Sequence, residues 1–313
     1  MDIYRAATLS DADLAVLEQI EGQRRQLRYH LAEPRRWHGT LRRATFARAV
    51  QGSNSIDGYN ASVEDVAAVI ADEEPLDADS ATVAAIAGYR DAMTYVLQLA
   101  GQPPPVETSL VRSLHFMMLK HDLAKRPGQW RPGAIWVEDA AGHVVYEAPD
   151  RDLVEPLITE LARSINDDSG PVLVRAAMAH LNLTLIHPFS DGNGRMARCL
   201  QTFLLASAGL ISPVFSSVEE YLGHNTTRYY EVLTEVAQGH WCPERSTRPW
   251  IEFILTAHYR QARTLERRIH ETEALWNRCD QLARSSGLPD RTVAALVDAA
   301  RGWRLQRSLY QQS

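Results

Sequence analysis

Cysteine is scarce in this chain. The three present, Cys199, Cys242 and Cys279, lie far apart and make no C-x-x-C spacing, which argues against a zinc site or a disulfide framework and fits a reducing cytosol. Long apolar runs are missing too. No segment approaches the ~20 apolar residues of a membrane-spanning helix, and Met1-Asp2-Ile3-Tyr4-Arg5 carries an early acid where a secretory leader would be apolar. A cytoplasmic protein with no membrane partner is expected. Nor is there an excess of positive charge: 33 Lys plus Arg stand against 39 Asp plus Glu, a net charge of −6, so nothing global favours nucleic acid. Internal repeats and low-complexity tracts are absent. No histidine belongs to an H-E-x-x-H pair, and His115, His121, His180 and His258 are among those read as structural.

What is there is an ordinary globular composition, 45% hydrophobic and 23% charged over 313 residues, enough to bury a sizeable core. Apolar residues recur at three- and four-residue spacing among good helix formers, so the fold class is mainly α. Helices are expected from the Ser10–Asp13 cap to the Glu33-Pro34 break, over 41–56, 62–71, 82–100 with Ser80 as cap, 108–120, 153–165, 172–186, 194–208, 221–237 and 250–278. The stretch 172–186 is apolar almost all round, with Arg175, His180 and Asn182 as its strongly polar members, and belongs at the centre. Ile135-Trp136-Val137 and Val144-Val145-Tyr146, flanking Ala141-Gly142, form the one expected β-hairpin.

The chemistry concentrates where the central helix hands over to its successor: His187-Pro188-Phe189-Ser190-Asp191-Gly192-Asn193-Gly194-Arg195-Met196-Ala197-Arg198. Gly192-Asn193-Gly194 lets the backbone turn tightly and approach a ligand closely. A helix begins there, and its unpaired N–H groups and positive dipole end suit phosphate. Arg195 and Arg198, three apart, can fork onto phosphate oxygens. Asp191 offers the single hard oxygen ligand through which Mg²⁺ is commonly shared with substrate phosphates. His187 supplies an imidazole, the side chain best matched to taking a proton at neutral pH.

This segment resembles the Fic-family signature H-x-F-x-[D/E]-G-N-G-R-x-x-R at every defined position. The resemblance implies a Fic-type helical bundle with a small β-hairpin flap, and an enzyme transferring AMP from ATP to a Ser, Thr or Tyr hydroxyl of a target protein, with self-modification included. It implies that His187 deprotonates that hydroxyl, Phe189 anchors the loop and Asp191 holds Mg²⁺. Gly192, Asn193 and Gly194 would form the anion hole, with Arg195 and Arg198 on the outer phosphates. Softer similarities lie at Pro127-Gly128-Gln129-Trp130-Arg131, like the family's turn before the hairpin. His143, Val144, Val145 and Tyr146 are similar to its target-docking flap, and Asn225, Tyr229 and Tyr230 to its adenine-pocket helix.

Upstream, Ser53-Asn54-Ser55-Ile56-Asp57-Gly58 resembles the inhibitory motif [S/T]-x-x-x-E-[G/N], whose glutamate pairs with the loop's second arginine, here Arg198. Asp57 is one methylene shorter, so reaching Arg198 requires an inward shift of the helix or a bridging water, and partial autoinhibition is expected. The same shortening bears on AMP removal, since in some relatives that glutamate positions the hydrolytic water. Three regions are expected: a regulatory helical region over 1–80, a catalytic core over 81–260, and a helical extension over 261–313. Leu288-Pro289-Asp290-Arg291 reads either as the opening of a winged helix or as a capping helix. A quiet ATP-binding module and an AMP-removing hydrolase stand as alternatives to transfer.

Overall fold

The computed structural model describes residues 2–32, 35–139, 141–167, 169–209 and 217–305, and side-chain caps explain where three of its helices start. Helix α1 (Asp11–Ala32) opens on a reciprocal cap: Asp13 accepts from the Ser10 amide at 2.7 Å, and the Asp13 amide donates to Ser10 Oγ at 3.3 Å. Its expected stop at Glu33-Pro34 lies outside the described residues. Helix α2 (His38–Ile56) comes next, then α3 (Val63–Ile70), capped by Ser62. Helix α4 (Ser80–Leu99) is capped by Asp79, with the expected cap Ser80 already its first helical residue. Helices α5 (Thr108–Leu119), α6 (Val154–Asn166), α7 (Val172–Ile186) and α8 (Asn193–Ser207) complete the expected series to that point.

The single helix expected over 221–237 is two. Helix α9 (Glu219–His224) and α10 (Thr226–Ala237) break at Asn225, whose φ of −126° leaves helical space. Helix α11 (Arg248–Ser285) runs well past the expected 278, and α12 (Thr292–Ala300) packs back on it through the buried Val293 and Val297. The expected hairpin is present as β1 (Trp136–Glu138) antiparallel to β2 (Val144–Glu147). A strand not foreseen, β3 (Gly239–His240), adds in parallel to β2 at Tyr146 and Glu147, so β2 is the middle strand. Two residues give too short a pattern for alternation to register.

Helix α7 is the axis of the core. Ala179, Leu183 and Ile186 face the cluster built on α4, α5, α6 and α8, while Ala177, Leu181 and Leu185 face the one built on α10 and α11. Its polar members are bonded internally. Asn182 accepts from the Tyr4 amide at 2.8 Å and donates to the Tyr4 carbonyl at 2.9 Å, tying the N-terminal segment to α7. His180 bonds Gln201 and Tyr229.

Helix α2 crosses α9 with backbones in contact. A Cβ at Gly52 would stand 2.8 Å from the Glu219 carbonyl carbon, and one at Gly223 would stand 2.6 Å from Gly52 Cα. Backbone cannot yield as a flexible side chain can, so Gly52→Ala should lose at least about 1 kcal/mol despite the better helix propensity of alanine. Urea unfolding checks this, and a variant as stable as the native chain would contradict the crossing.

Candidate active site

The loop between α7 and α8 is shaped by two residues in left-handed conformation. His187 ends α7 at φ +50°, and Gly192 precedes α8 at φ +74°. The positive φ is what calls for glycine at 192, where a Cβ would also press on the Leu119 Cδ1 methyl at 2.8 Å. Asn193 clamps the turn: its side chain accepts from the Phe189 amide and donates to the Phe189 carbonyl, both at 2.9 Å. That side chain is spent on the loop, so what Asn193 can present outward is main chain. Phe189 is fully buried, stacked on His115 with ring centroids 3.6 Å apart.

His187 is half-buried, and its Nδ1 lies 3.1 Å from the Thr184 carbonyl. A carbonyl only accepts, so Nδ1 carries the proton in this contact and Nε2 keeps its lone pair. Burial pushes the His187 pKa below the ordinary histidine value, which favours the neutral form. The buried Arg131 fastens the loop from behind. It donates through Nε to the His187 carbonyl at 2.9 Å and through Nη2 to the Pro149 carbonyl, joining the loop to the base of the hairpin.

Arg195 and Arg198 are 0% and 1% exposed, and both converge on Asp57. Oδ2 of Asp57 accepts from Arg195 Nε and Oδ1 from Arg198 Nη2, each at 2.9 Å, while Ser53 Oγ accepts from Arg198 Nε at 2.7 Å. The contact is thus direct, needing no bridging water, and one short carboxylate spans two guanidiniums. Burial opposes the charge of Arg198, but the Asp57 carboxylate more than offsets it and the pKa is raised. Three buried guanidinium nitrogens, Arg195 Nη1 and Nη2 and Arg198 Nη1, have no acceptor among the described residues. Gly194 lies beneath this knot, where a Cβ would come within 3.0 Å of Arg198 Nη1 and 3.2 Å of Asp57 Oδ1.

Asp191 stands at the mouth of the loop. Burial works against its carboxylate, yet Lys125 and Arg195 together hold it below the usual carboxylate range. Among the described residues no three His, Cys, Asp or Glu side chains cluster as a metal cage. A cation at Asp191 would therefore rest on one carboxylate and on ligand oxygens, a donor set that fits Mg²⁺ shared with phosphates.

The softer site residues scatter. Tyr229 is 1% exposed with its hydroxyl on His180, which places it in the core. Tyr230 is 45% exposed and donates to the Ile56 carbonyl at the end of α2. Asn225 spends its amide on the Tyr221 carbonyl. On the hairpin, His143 and Val144 are exposed and Val145 half-buried, whereas Tyr146 turns inward to bond the Leu185 carbonyl at 2.7 Å. The sheet's edge strands are β1 and β3, and because β3 pairs only at Tyr146 and Glu147, the start of β2 is open on that side as well.

Three residues that build the site give no signal of it in the sequence. Lys125 and Tyr59 carry no motif. His115 reads there as one structural histidine among several, although it holds the loop: Nδ1 accepts from the Gly128 amide and Nε2 donates to the Asp191 carbonyl, both at 2.9 Å.

Residues 105–205 match the model of the Fic/DOC family. The protein adenylyltransferase Fic of Drosophila ananassae is 30% identical over 169 residues, covering 54% of this chain and 31% of the relative. That of Drosophila melanogaster is 27% identical over 224 residues, covering 69% and 42%. The chain thus spans under half the length of these curated relatives. Among solved structures, a Fic family protein from Desulfovibrio desulfuricans G20 superposes with a TM-score of 0.71 at 20% identity, covering 99% of this chain and 89% of that one. Fic-1 (residues 134–508) from C. elegans superposes at 0.65 and 19% identity, covering 83% and 74%. The fold is the mainly α Fic bundle.

His115 offers a test of how the loop is held. Burial lowers its pKa to about 4, while the unfolded chain binds that proton near ~6.5. The native state therefore binds fewer protons between those values, so stability is full above about pH 6.5 and falls as pH drops toward 4. His115→Gln keeps a donor and an acceptor but does not titrate. Urea unfolding across pH 4–6.5 should show a slope shallower by nearly one proton in the variant, and superimposable slopes would contradict the assignment.

Proposed function

We propose that the chain is a protein adenylyltransferase, transferring AMP from ATP to a Ser, Thr or Tyr hydroxyl of a target protein and releasing pyrophosphate. One observation carries the reading. A single turn between two buried helices joins an imidazole with a free Nε2 to three buried guanidinium nitrogens that lack an acceptor among the described residues. Groups of that kind at a helix N-terminus call for an anion with several oxygens. The relatives' name, protein adenylyltransferase, supports the same chemistry.

In this mechanism the outer phosphates take the free N–H groups of Arg195 and Arg198, and the amides of 192–194 face the triphosphate. Mg²⁺ bound through Asp191 would supply charge neutralisation to the phosphates. Nε2 of His187 accepts the proton as the target oxygen bonds to the α-phosphorus. The bond from that phosphorus to the bridging oxygen breaks, and pyrophosphate leaves. Because the His187 pKa is depressed, the neutral base persists below pH 6.5, and the acid limb of the rate should fall below that value. The exposed edge formed by His143 and Val144 is where an extended target segment would add. The three cysteines are free thiols, in keeping with a reducing cytoplasm.

Ser53 and Asp57 act as a brake. In the arrangement seen, Asp57 occupies arginine N–H groups that a phosphate would otherwise take. This favours a chain held idle until the end of α2 yields.

Incubation with Mg²⁺ and α-labelled ATP should leave label on protein. His187→Ala should abolish labelling while sparing ATP binding, and Asp57→Gly should raise it by about tenfold or more. Retention of ATP without label would point to a quiet binding module, release of AMP from premodified protein to a hydrolase, and labelling by His187→Ala would remove this base from the mechanism.

A further inference from the structure

Both oxygens of Asp191 are already engaged. Oδ1 accepts from the neighbouring Gly192 amide at 2.6 Å, and Oδ2 is paired with Lys125 Nζ at 2.5 Å. The ammonium therefore sits on the carboxylate oxygen left for a cation. An ammonium and a divalent cation repel each other, and one exposed carboxylate oxygen cannot serve both at such a distance. Lys125 itself is held. It donates to Tyr59 Oη at 3.1 Å, and the Tyr59 ring lies under Arg195, with Cζ 4.8 Å from the ring centroid. The Tyr59 amide in turn donates to the Asn54 carbonyl in the last turn of α2.

We propose that Lys125 is an internal competitor for the divalent cation at Asp191, kept there by Tyr59. The segment 53–59 then acts on the site twice. Through Asp57 it occupies the arginines that face phosphate, and through Tyr59 and Lys125 it occupies the carboxylate that faces the cation. Lys125 closes a short 3-10 turn (Leu123–Lys125) before Arg126 in left-handed conformation. Its side chain is 32% exposed, so it can swing to solvent without disturbing the core. A divalent cation arriving with nucleotide has to displace it, and movement of Tyr59 with the end of α2 makes that displacement easier. The inference rests on the reading of Asp191 as the cation's carboxylate.

The test is the factor by which Mg²⁺ tightens nucleotide binding. Calorimetry of the full chain with α,β-methylene ATP, which cannot release pyrophosphate, is run with Mg²⁺ and with EDTA. In Lys125→Met the Mg²⁺ factor should exceed the native one by about three- to fivefold, the range expected for releasing a part-exposed ion pair. Tyr59→Phe should move it in the same direction by less, and Asp191→Asn should collapse it. Thermal unfolding of each variant checks that the fold is retained. If Asp191→Asn collapses the factor while Lys125→Met leaves it unchanged, the competitor role is wrong and the metal reading stands. If Lys125→Met loses affinity equally with and without Mg²⁺, Lys125 is a phosphate ligand and the proposal is overturned. If Asp191→Asn keeps the native factor, or no variant binds nucleotide, the reading of the site fails and this inference with it.

Discussion

Two guanidiniums almost without solvent contact, Arg195 and Arg198, share one ion-pair partner, the carboxylate of Asp57. Isolated buried charges are costly, and one acid cannot satisfy two arginines. Three of their nitrogens have no acceptor among the described residues. The helix geometry that brings both arginines to one point, with Gly194 beneath them, therefore creates a demand for negative charge that the chain meets only in part. On the proposed function, a more highly charged anion would compete with Asp57 for these arginines, so activity and inhibition would be two solutions to one electrostatic problem.

The surroundings divide into parts that are locked and a part that can move. The loop is locked: Asn193 pins it to Phe189, His115 stacks on Phe189 and bonds the Asp191 carbonyl, and Arg131 ties the His187 carbonyl to the hairpin base. Such supporting bonds keep reacting groups in place with no reorganisation during reaction. The proposed brake is held differently. Asp57 is the C-cap of α2, beyond the last helical turn, and the chain continues from it through Gly58 at φ +89° to Tyr59. Helix α2 is anchored farther back by the backbone crossing at Gly52. Fraying at the end of α2 would leave that crossing in place, so the proposed brake could release while the core stays intact.

Much of this is legible in the sequence where the chemistry is local. His187 to Arg198 spans one turn and one helix start, so residue types and spacing alone place the imidazole, the carboxylate and the arginines together. The apolar run 172–186 announces the central helix for the same reason. Contacts across long separations are harder to read. The Asp57 to Arg195 bond joins residues 138 apart, and the sequence points to Arg198 alone as the partner, because a one-to-one pair is what the motif describes. Lys125 and Tyr59 meet across 66 residues with no pattern to flag either. Tyr229 shows the converse: an aromatic at a suggestive position turns into the core because its hydroxyl finds His180. Asn225 breaks a helix that periodicity carries through, since a side chain bonded to nearby backbone outweighs weak propensity.

On the proposed function, the Asp57 carboxylate and nucleotide phosphate compete for the same guanidiniums. The most direct measurement is the ATP dissociation constant, by calorimetry, of the native chain beside Asp57→Gly. Removing the carboxylate removes the work of displacing it, so affinity should rise by roughly tenfold or more. Equal affinities, or weaker binding by a folded Asp57→Gly protein, would mean that phosphate and Asp57 do not share the arginines and would contradict the claim.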